Sequence, residues 1–350
     1  MAARNSVNMK DVATLAGVSV GTVSNVLNSP DLVSPATQER VRRAIDKLGW
    51  VRNESARQLR AGRSRSVGMV VIDIANPFFT DVVLGAEDHF YEAGYAVHVG
   101  NSAQTAEREV AHLALFEEQR VRGILVAPIR EMAERIAELR RRGIAVVLVD
   151  RMSNTNDSCS VGVDDLEGGR LAVQHLIDQG HRSIAFVGGP STLHQVRDRR
   201  MGAELATARA GDPVVLLAIS TPSLDVEAGI RTAADLAALP GGERPTSVFA
   251  ANDLVAIGLL QGFVTAGVAV PDDMAIIGYD DIAFAAAAAV PLSSVRQPRA
   301  ELGRRAAELL LAEIEAADTD TPHEHEQVRF VPELVVRRST VTPTSSRRTA

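Results

Sequence analysis

The sequence predicts a small all-helical head, a polar linker, and an α/β body of two similar lobes with parallel sheets. Three observations carry this. Apolar residues recur at helical spacing as far as Trp50, then change at Val67 to short continuous runs separated by amphipathic segments of helix length. The same β-α-β-α rhythm restarts after Asp150. The charge is split: residues 1–66 hold 11 Lys and Arg against 5 Asp and Glu, a net of +6, in a chain of 350 residues whose formal net charge is −7. A basic head on an acidic body points to a polyanion at one end.

In the head, Val12, Leu15 and Ala16 share one face of a helix starting near Met9, which Gly17 interrupts. Ser19 caps a second helix with Val23, Val26 and Leu27 on its inner face. Ser34 followed by Pro35 starts a third, in which Val41, Ala44, Ile45 and Leu48 recur until Gly49. Residues 52–66 are polar and basic, with Leu59 as the only large apolar side chain.

In the body, Val67–Ile72, Ala96–Val99, Gly123–Ala127 and Ile144–Val149 read as strands buried on both faces. Helices are expected at 78–93, 106–120 and 131–142. The second lobe offers Ser183–Val187, Pro213–Ala218, Ser247–Ala250 and Met274–Gly278 as strands, and 299–315 as the last strong helix. The end, 341–350, reads as a disordered tail.

Several chemistries lack their motifs. No GxGxxG follows a strand, and there is no GxxxxGKS/T, HExxH or CxxC. Gly17-Val18-Ser19-Val20-Gly21 has the spacing of a nucleophile elbow, but a helix precedes it where a strand is required, so Ser19 is read as a cap. The single cysteine, Cys159, excludes an intramolecular disulfide and any thiolate-based metal cluster from one chain. His323-Glu324-His325 lies in a polar run with no other ligand nearby in sequence and is read as a solvated loop, so no metal site is expected. The beginning of the chain has no secretory apolar region, and no stretch approaches the ~18 apolar residues of a membrane span. The expected setting is the cytoplasm, without membrane or cofactor.

Two sets of residues remain. Asp150 and Asp280 each follow an apolar run at the carboxyl end of a predicted parallel strand, as does Asn252-Asp253. Ligands of open α/β sheets bind beyond those ends, and carboxylates with carboxamides suit a polyhydroxy ligand such as a sugar. In the head, helix, glycine turn, helix and third helix form a helix-turn-helix layout. Ser19, Thr22, Ser24, Asn25 and Asn28 crowd its second helix, where short polar side chains suit phosphates and base edges better than packing.

At these residues the chain resembles transcription regulators of the lactose/galactose-repressor family. The stretch from Asp11 to Asn28, Val33-Ser34, the Arg40–Leu48 helix, and Ala56 with Leu59 match the family's head and linker. In the body Asn76-Pro77-Phe78-Phe79, Gly94-Tyr95, Arg122-Gly123-Ile124, Asp150-Arg151, Gly278-Tyr279-Asp280-Asp281 and Gln297-Pro298 match as well. The resemblance implies a helix-turn-helix domain at 8–54, a hinge helix and linker at 55–66, and a periplasmic-binding-protein-like core at 67–340. Lobe 1 would take 67–164 and 297–326, and lobe 2 165–296 and 327–340.

The resemblance also implies roles. Val20, Gly21 and Asn25 would read bases, and Ser19, Thr22, Ser24, Asn28, Ser34 and Thr37 would hold phosphates. Asn53, Ala56 and Leu59 would form a hinge whose leucine wedges into the minor groove. Arg52 stands where many members have proline. The effector cleft would comprise Asn76, Phe78, Phe79, Asp150, Arg151, Arg199, Leu224, Asn252, Asp280 and Gln297, with Leu224 where relatives often place an aromatic wall. The expected function is a homodimeric DNA-binding repressor released from a pseudo-palindromic operator by a sugar-like inducer. The alternatives are a corepressor-dependent member, an α/β sugar-modifying enzyme and a solute-binding transport protein.

Overall fold

The computed structural model describes residues 7–50, 64–153 and 156–341. Asn53, Ala56, Leu59 and the tail beyond 341 therefore lie outside the described residues. The chain separates between Arg63 and Ser64 into two units, a head and a body.

In the head, α1 is Met9–Ala16, α2 is Val20–Asn28 and α3 is Pro35–Leu48, with a short 3-10 turn at Pro30–Leu32. Asn8 opens α1: its Oδ1 accepts from Lys10 N at 2.8 Å, and Asp11 Oδ2 accepts from Asn8 N at 2.8 Å. Such a capping box is worth about 1 kcal/mol. Gly17 closes α1 at φ +64°, a left-handed turn that other residues adopt at a cost. Ser19 Oγ accepts from Thr22 N at 3.0 Å and starts α2 as expected. Ser34 and Pro35 do open α3, but the Ser34 hydroxyl bonds Thr37 Oγ1 at 3.0 Å instead of capping a backbone N–H. Val12, Ala13, Ala16, Val23, Val26, Val41 and Ala44 form the core. Leu15 is 44% exposed, because α2 and α3 pack on the side of Val12 and Ala16 and leave it on the flank.

The body contains two sheets with the same plan. Lobe 1 holds β1 (Ser66–Val71), β2 (Ala96–Asn101), β3 (Gly123–Val126), β4 (Ala145–Val149), β5 (Ser160–Val163) and β11 (Gln327–Phe330), in the order β11-β5-β4-β3-β1-β2. Lobe 2 holds β6 (Ser183–Val187), β7 (Val215–Ile219), β8 (Ser247–Ala250), β9 (Ala275–Asp280), β10 (Ser293–Arg296) and β12 (Glu333–Val335), in the order β12-β10-β9-β8-β6-β7. All pairings are parallel except β10 with β12. The strand order reverses between β1 and β3 and again between β6 and β8, so both lobes place a ligand-accepting crevice at their carboxyl ends.

The helices of the body are α4 (Pro77–Glu92), α5 (Ala106–Glu118), α6 (Ala133–Arg141), α7 (Asp165–Asp178), α8 (His194–Ala208), α9 (Val226–Ala238), α10 (Asp253–Thr265), α11 (Ala283–Ala287) and α12 (Arg299–Thr319). Helices α7 and α8 cross in close contact. A Cβ on Gly169 would sit 2.0 Å from Arg199 O, and one on Gly202 2.0 Å from Leu166 O, so only glycine admits this crossing. It brings Arg199 against the carboxyl ends of lobe 2.

Three expectations change here. Strand β2 is not buried on both faces: Val99 is 44% exposed, because β2 ends its sheet, as β7 does in lobe 2, where Val215 is 64% exposed. Residues 327–330 belong to lobe 1, since β11 pairs with β5, and only from about residue 331 does the chain return to lobe 2. The loop around His323 and His325 is not simply solvated: it folds onto Cys159 and Glu313, far away in sequence. No helix among the described residues is long and apolar enough to cross a membrane.

Candidate functional site

On the head, Ser19, Val20, Gly21, Asn25, Asn28 and Ser34 are exposed, while Thr22, Ser24 and Thr37 are half-buried. Two hydroxyl pairs mark the starts of α2 and α3: Ser19 with Thr22 at 2.9 Å, and Ser34 with Thr37 at 3.0 Å. A helix N-terminus presents unpaired N–H groups and a partial positive charge, so each pair stands where an anion is favoured. Asn28 Nδ2 donates to Ser24 O at 2.9 Å, which fixes the end of α2. Val20 keeps its branched side chain in solvent, an unfavourable place unless a partner covers it.

The body gathers a second set of groups at the carboxyl ends of its strands. Asp150, Asp280 and Asp281 follow or end strands at φ +57°, +100° and +51°. Non-glycine residues rarely adopt such angles, and the strain, about 1–3 kcal/mol each, persists where surrounding bonds impose it. Those bonds are visible. Asp280 Oδ1 accepts from Gln297 Nε2 at 2.7 Å, and Oδ2 from Asn76 Nδ2 at 3.5 Å. Asn76 Oδ1 also caps α4 through Phe78 N at 3.0 Å. Arg299 Nη1 donates to Asp280 O at 2.7 Å while its Nε holds Asp81 at 2.7 Å. Asp280 thus ties lobe 2 to the start of α4 in lobe 1.

Arg199 sits at the centre, 4% exposed. Its Nε donates to Asp165 Oδ1 at 2.7 Å, Nη1 donates to Ala251 O at 2.7 Å, and Nη1 lies 3.7 Å from Asp280 Oδ1. The guanidinium stacks 3.7 Å above the Tyr279 ring. Burial works against its charge, but Asp165 and Asp280 hold it above its ordinary value. Burial in turn pushes Asp280 up to about 6 against the pull of Arg199 and Gln297.

Asp150 is pushed up to about 8 by burial and by Asp165, with Arg199 and Gln195 pulling the other way. Gln195 Nε2 donates to Asp150 Oδ2 at 2.6 Å, and His194 Nε2 donates to Asp150 O at 2.8 Å. Burial, then Arg151, lowers His194 to about 3, so its ring is neutral and its Nδ1 is an acceptor. Four buried acceptor atoms here have no hydrogen-bond partner: Asp150 Oδ1, His194 Nδ1, Gln195 Oε1 and Gln297 Oε1. Buried polar atoms are nearly always paired, so this cluster calls for a donor-rich ligand. A cavity of about 340 Å³ opens beside it, lined by Asp150, Arg151, Asp165, His194 and Arg197 among others.

The other expected cleft residues divide. Arg151 borders that cavity and pairs with Glu131 at 2.7 Å. Phe78 and Phe79 are buried, edge to face at 4.9 Å, within the body core. Asn252 is engaged at both ends: Oδ1 caps α10 through Val255 N at 2.9 Å, and Nδ2 donates to Leu224 O at 3.1 Å. Leu224 packs against the core. His194 and Gln195 escaped the sequence reading. The i, i+4 spacing of Gln195 and Arg199, which puts both on one face of α8, was the available signal.

Comparison with known proteins places these features in a family. A model of bacterial regulatory proteins of the lacI family matches residues 8–53, and one of periplasmic binding protein-like domains matches 173–340. An HTH-type transcriptional repressor PurR of Photobacterium profundum is 34% identical over 333 residues, which are 95% of this chain and 98% of that one. The crystal structure of the lac repressor dimer bound to operator and the anti-inducer ONPF aligns at a TM-score of 0.81 and 25% identity, over 96% of this chain and 99% of that one. A LacI family transcriptional regulator of Enterococcus faecium with bound ribose aligns at a TM-score of 0.70 and 30% identity, over 78% and 98% of the two chains.

Proposed function

The chain belongs to the lacI family of bacterial regulatory proteins, and we propose that, as a DNA-binding transcriptional repressor of that family, it is released from operator DNA by a small polyhydroxylated inducer. The enzyme and transport readings of the sequence fall away with family membership. The head supplies the DNA-binding surface, and the strand-end cluster of the body supplies the effector site. The setting is the cytoplasm, where operator DNA is found, and a homodimer would match a two-fold operator with two copies of the head.

The unpartnered buried acceptors of the strand-end cluster carry the effector reading. His194 Nδ1, Gln195 Oε1 and Gln297 Oε1 can each accept a hydrogen bond from a hydroxyl, as can Asp150 Oδ1 once ionised, and the adjoining cavity of about 340 Å³, bordered by Asp150 and His194, has the scale of a monosaccharide. The bound ribose of the Enterococcus faecium regulator supports the same class. What supports release over corepression is Asp280. Its bonds to Asn76 and Gln297 already join the lobes without a ligand, so a ligand that takes over those groups favours a different lobe arrangement. The test is a gel shift on sequences selected with the purified chain, repeated with pentoses, hexoses and nucleobases. A sugar that releases DNA supports the proposal, and a nucleobase that tightens binding replaces it with corepression.

Two predictions belong here. Asn25 is exposed on α2 and suited to bidentate bonds with adenine. Asn25→Ala should weaken operator binding by about 1–3 kcal/mol and relax selectivity at one base pair, with melting unchanged. Binding data on single-substituted operators check both effects.

The second concerns pH. Asp150, raised to about 8, keeps its proton in the folded chain where the unfolded chain has lost it, so its contribution to stability falls as pH rises from about 4 through 8. Ligand hydroxyls that donate to its carboxylate favour the ionised form. Effector affinity should therefore rise with pH up to about 8, by at most tenfold per unit, and level off above it, and Asp150→Asn should flatten the profile. A flat wild-type profile by calorimetry would remove Asp150 from ligand contact.

A further inference from the structure

Four metal-ligating side chains meet in lobe 1 at the start of β5 and β11. Cys159 immediately precedes β5, Glu313 projects from α12, and His323 and His325 come from the segment between α12 and β11. Cys159 Sγ lies 3.2 Å from His323 Nε2 and 3.6 Å from His325 Nδ1. Glu313 Oε1 lies 3.2 Å from His325 Nδ1 and 4.0 Å from His323 Nε2. All four ligand atoms fall within 4.8 Å of one another.

We propose that Cys159, Glu313, His323 and His325 form a four-coordinate zinc site. Zinc bonds of about 2.0–2.1 Å to nitrogen and oxygen and 2.3 Å to sulfur give tetrahedral edges of about 3.3–3.6 Å, and the measured separations bracket that range. One thiolate, two imidazoles and one carboxylate form a borderline-soft set that suits zinc and discriminates against magnesium and calcium, which take oxygen ligands. The charges close as well. A thiolate and a carboxylate balance a dication, and the two rings bind neutral; the thiol proton leaves to solvent on binding.

The surroundings support the ligands. Arg140 Nη2 lies 3.2 Å from Glu313 Oε1, which fixes the carboxylate and leaves a second lone pair on that oxygen for a metal. The backbone N–H of Glu326 donates to Cys159 Sγ at 3.3 Å. His325, Arg140 and Ser158 border a cavity of about 540 Å³, which gives an ion a route from solvent. With four protein ligands the site is closed and therefore structural. It would pin the segment before β11 to β5, where Ser160 N donates to Glu326 O at 3.0 Å and the Gln327–Phe330 strand begins its pairing. Sequence spacing could not reveal it, because Cys159 and His323 are 164 positions apart.

The test uses the tag-free full chain, stripped with a chelator and titrated with zinc against a chromophoric competitor. One equivalent should bind and raise the melting temperature by several degrees. Cobalt(II) in its place should give the visible bands of four-coordinate cobalt and a near-ultraviolet thiolate charge-transfer band, which Cys159→Ser abolishes. His323→Ala and His325→Ala should each weaken zinc binding by more than about 100-fold, since even outer-shell losses cost 10- to 100-fold. Absence of stoichiometric zinc binding by the wild-type chain would overturn the site, as would a cobalt spectrum without the charge-transfer band. Equal binding by the His323→Ala/His325→Ala double variant would do the same. Should a variant fail to fold, the wild-type stoichiometry and cobalt spectrum decide alone.

Discussion

Arg199→Met should destabilise the body by about 3–5 kcal/mol, the range found when one partner of a buried ion pair is removed. The guanidinium is 4% exposed and compensates Asp165 and Asp280, which are 6% and 2% exposed. A methionine fills a similar volume but leaves both carboxylates without a cation and Ala251 O without its donor. For a body of this size the loss corresponds to roughly 10 °C in melting temperature. The deficit should shrink at lower pH. Without Arg199 to pull them down, both carboxyls hold protons to a higher pH, and in the neutral form they bury at less cost. Arg199→Lys keeps the charge but loses the fork that reaches Asp165 and Ala251 together, so it should recover only part of the stability. Melting curves of the three proteins at several pH values measure all of this. An unchanged wild-type melting point in Arg199→Met would mean that the cluster does not carry the body.

Asp280→Asn should leave operator binding near wild type while weakening effector binding by about 1.5–3 kcal/mol, roughly tenfold to a hundredfold. Asparagine tolerates the positive φ of this position, which alanine does not, so the substitution changes charge and acceptor strength and spares the backbone. Asparagine can still accept from Gln297 Nε2, so the tie between the lobes is kept while the charge is lost. If Asp280 were only a structural cap, the variant would lose operator binding and melting temperature together. Calorimetry with the effector, beside a melting curve and an operator titration, separates the two roles.

Much of the framework was legible in the sequence, because capping and periodicity are local. Ser19 at the start of α2, Gly17 at the end of α1, and the strands Ser183–Val187 and Ser247–Ala250 stand where the pattern puts them. The strands that escaped, β5, β10 and β12, are three or four residues long, and each contains a serine or a charged residue in place of a continuous apolar run. They are strands because distant neighbours supply the pairing, as β11 does for β5 across more than 160 positions. The strand-end aspartates were legible for the same reason as the strands they end. Some of their partners were not: Gln195 and His194 reach the cluster through the α7–α8 crossing, a tertiary event. Asn252, placed at a strand end by the same pattern, caps α10 and holds Leu224 through its amide.

The central claim is that a small ligand at the strand-end cluster of the body governs the DNA affinity of the head. Its most direct test is the operator dissociation constant of the full chain, measured by fluorescence anisotropy with and without saturating effector, at fixed salt because phosphate contacts make such affinities steeply salt-dependent. The account predicts at least about a tenfold weaker operator complex in the presence of effector, the scale of an ordinary allosteric coupling, and a reduced response at the same effector concentration in Asp280→Asn. An effector that binds the body with calorimetric stoichiometry yet leaves the operator dissociation constant unchanged would contradict it.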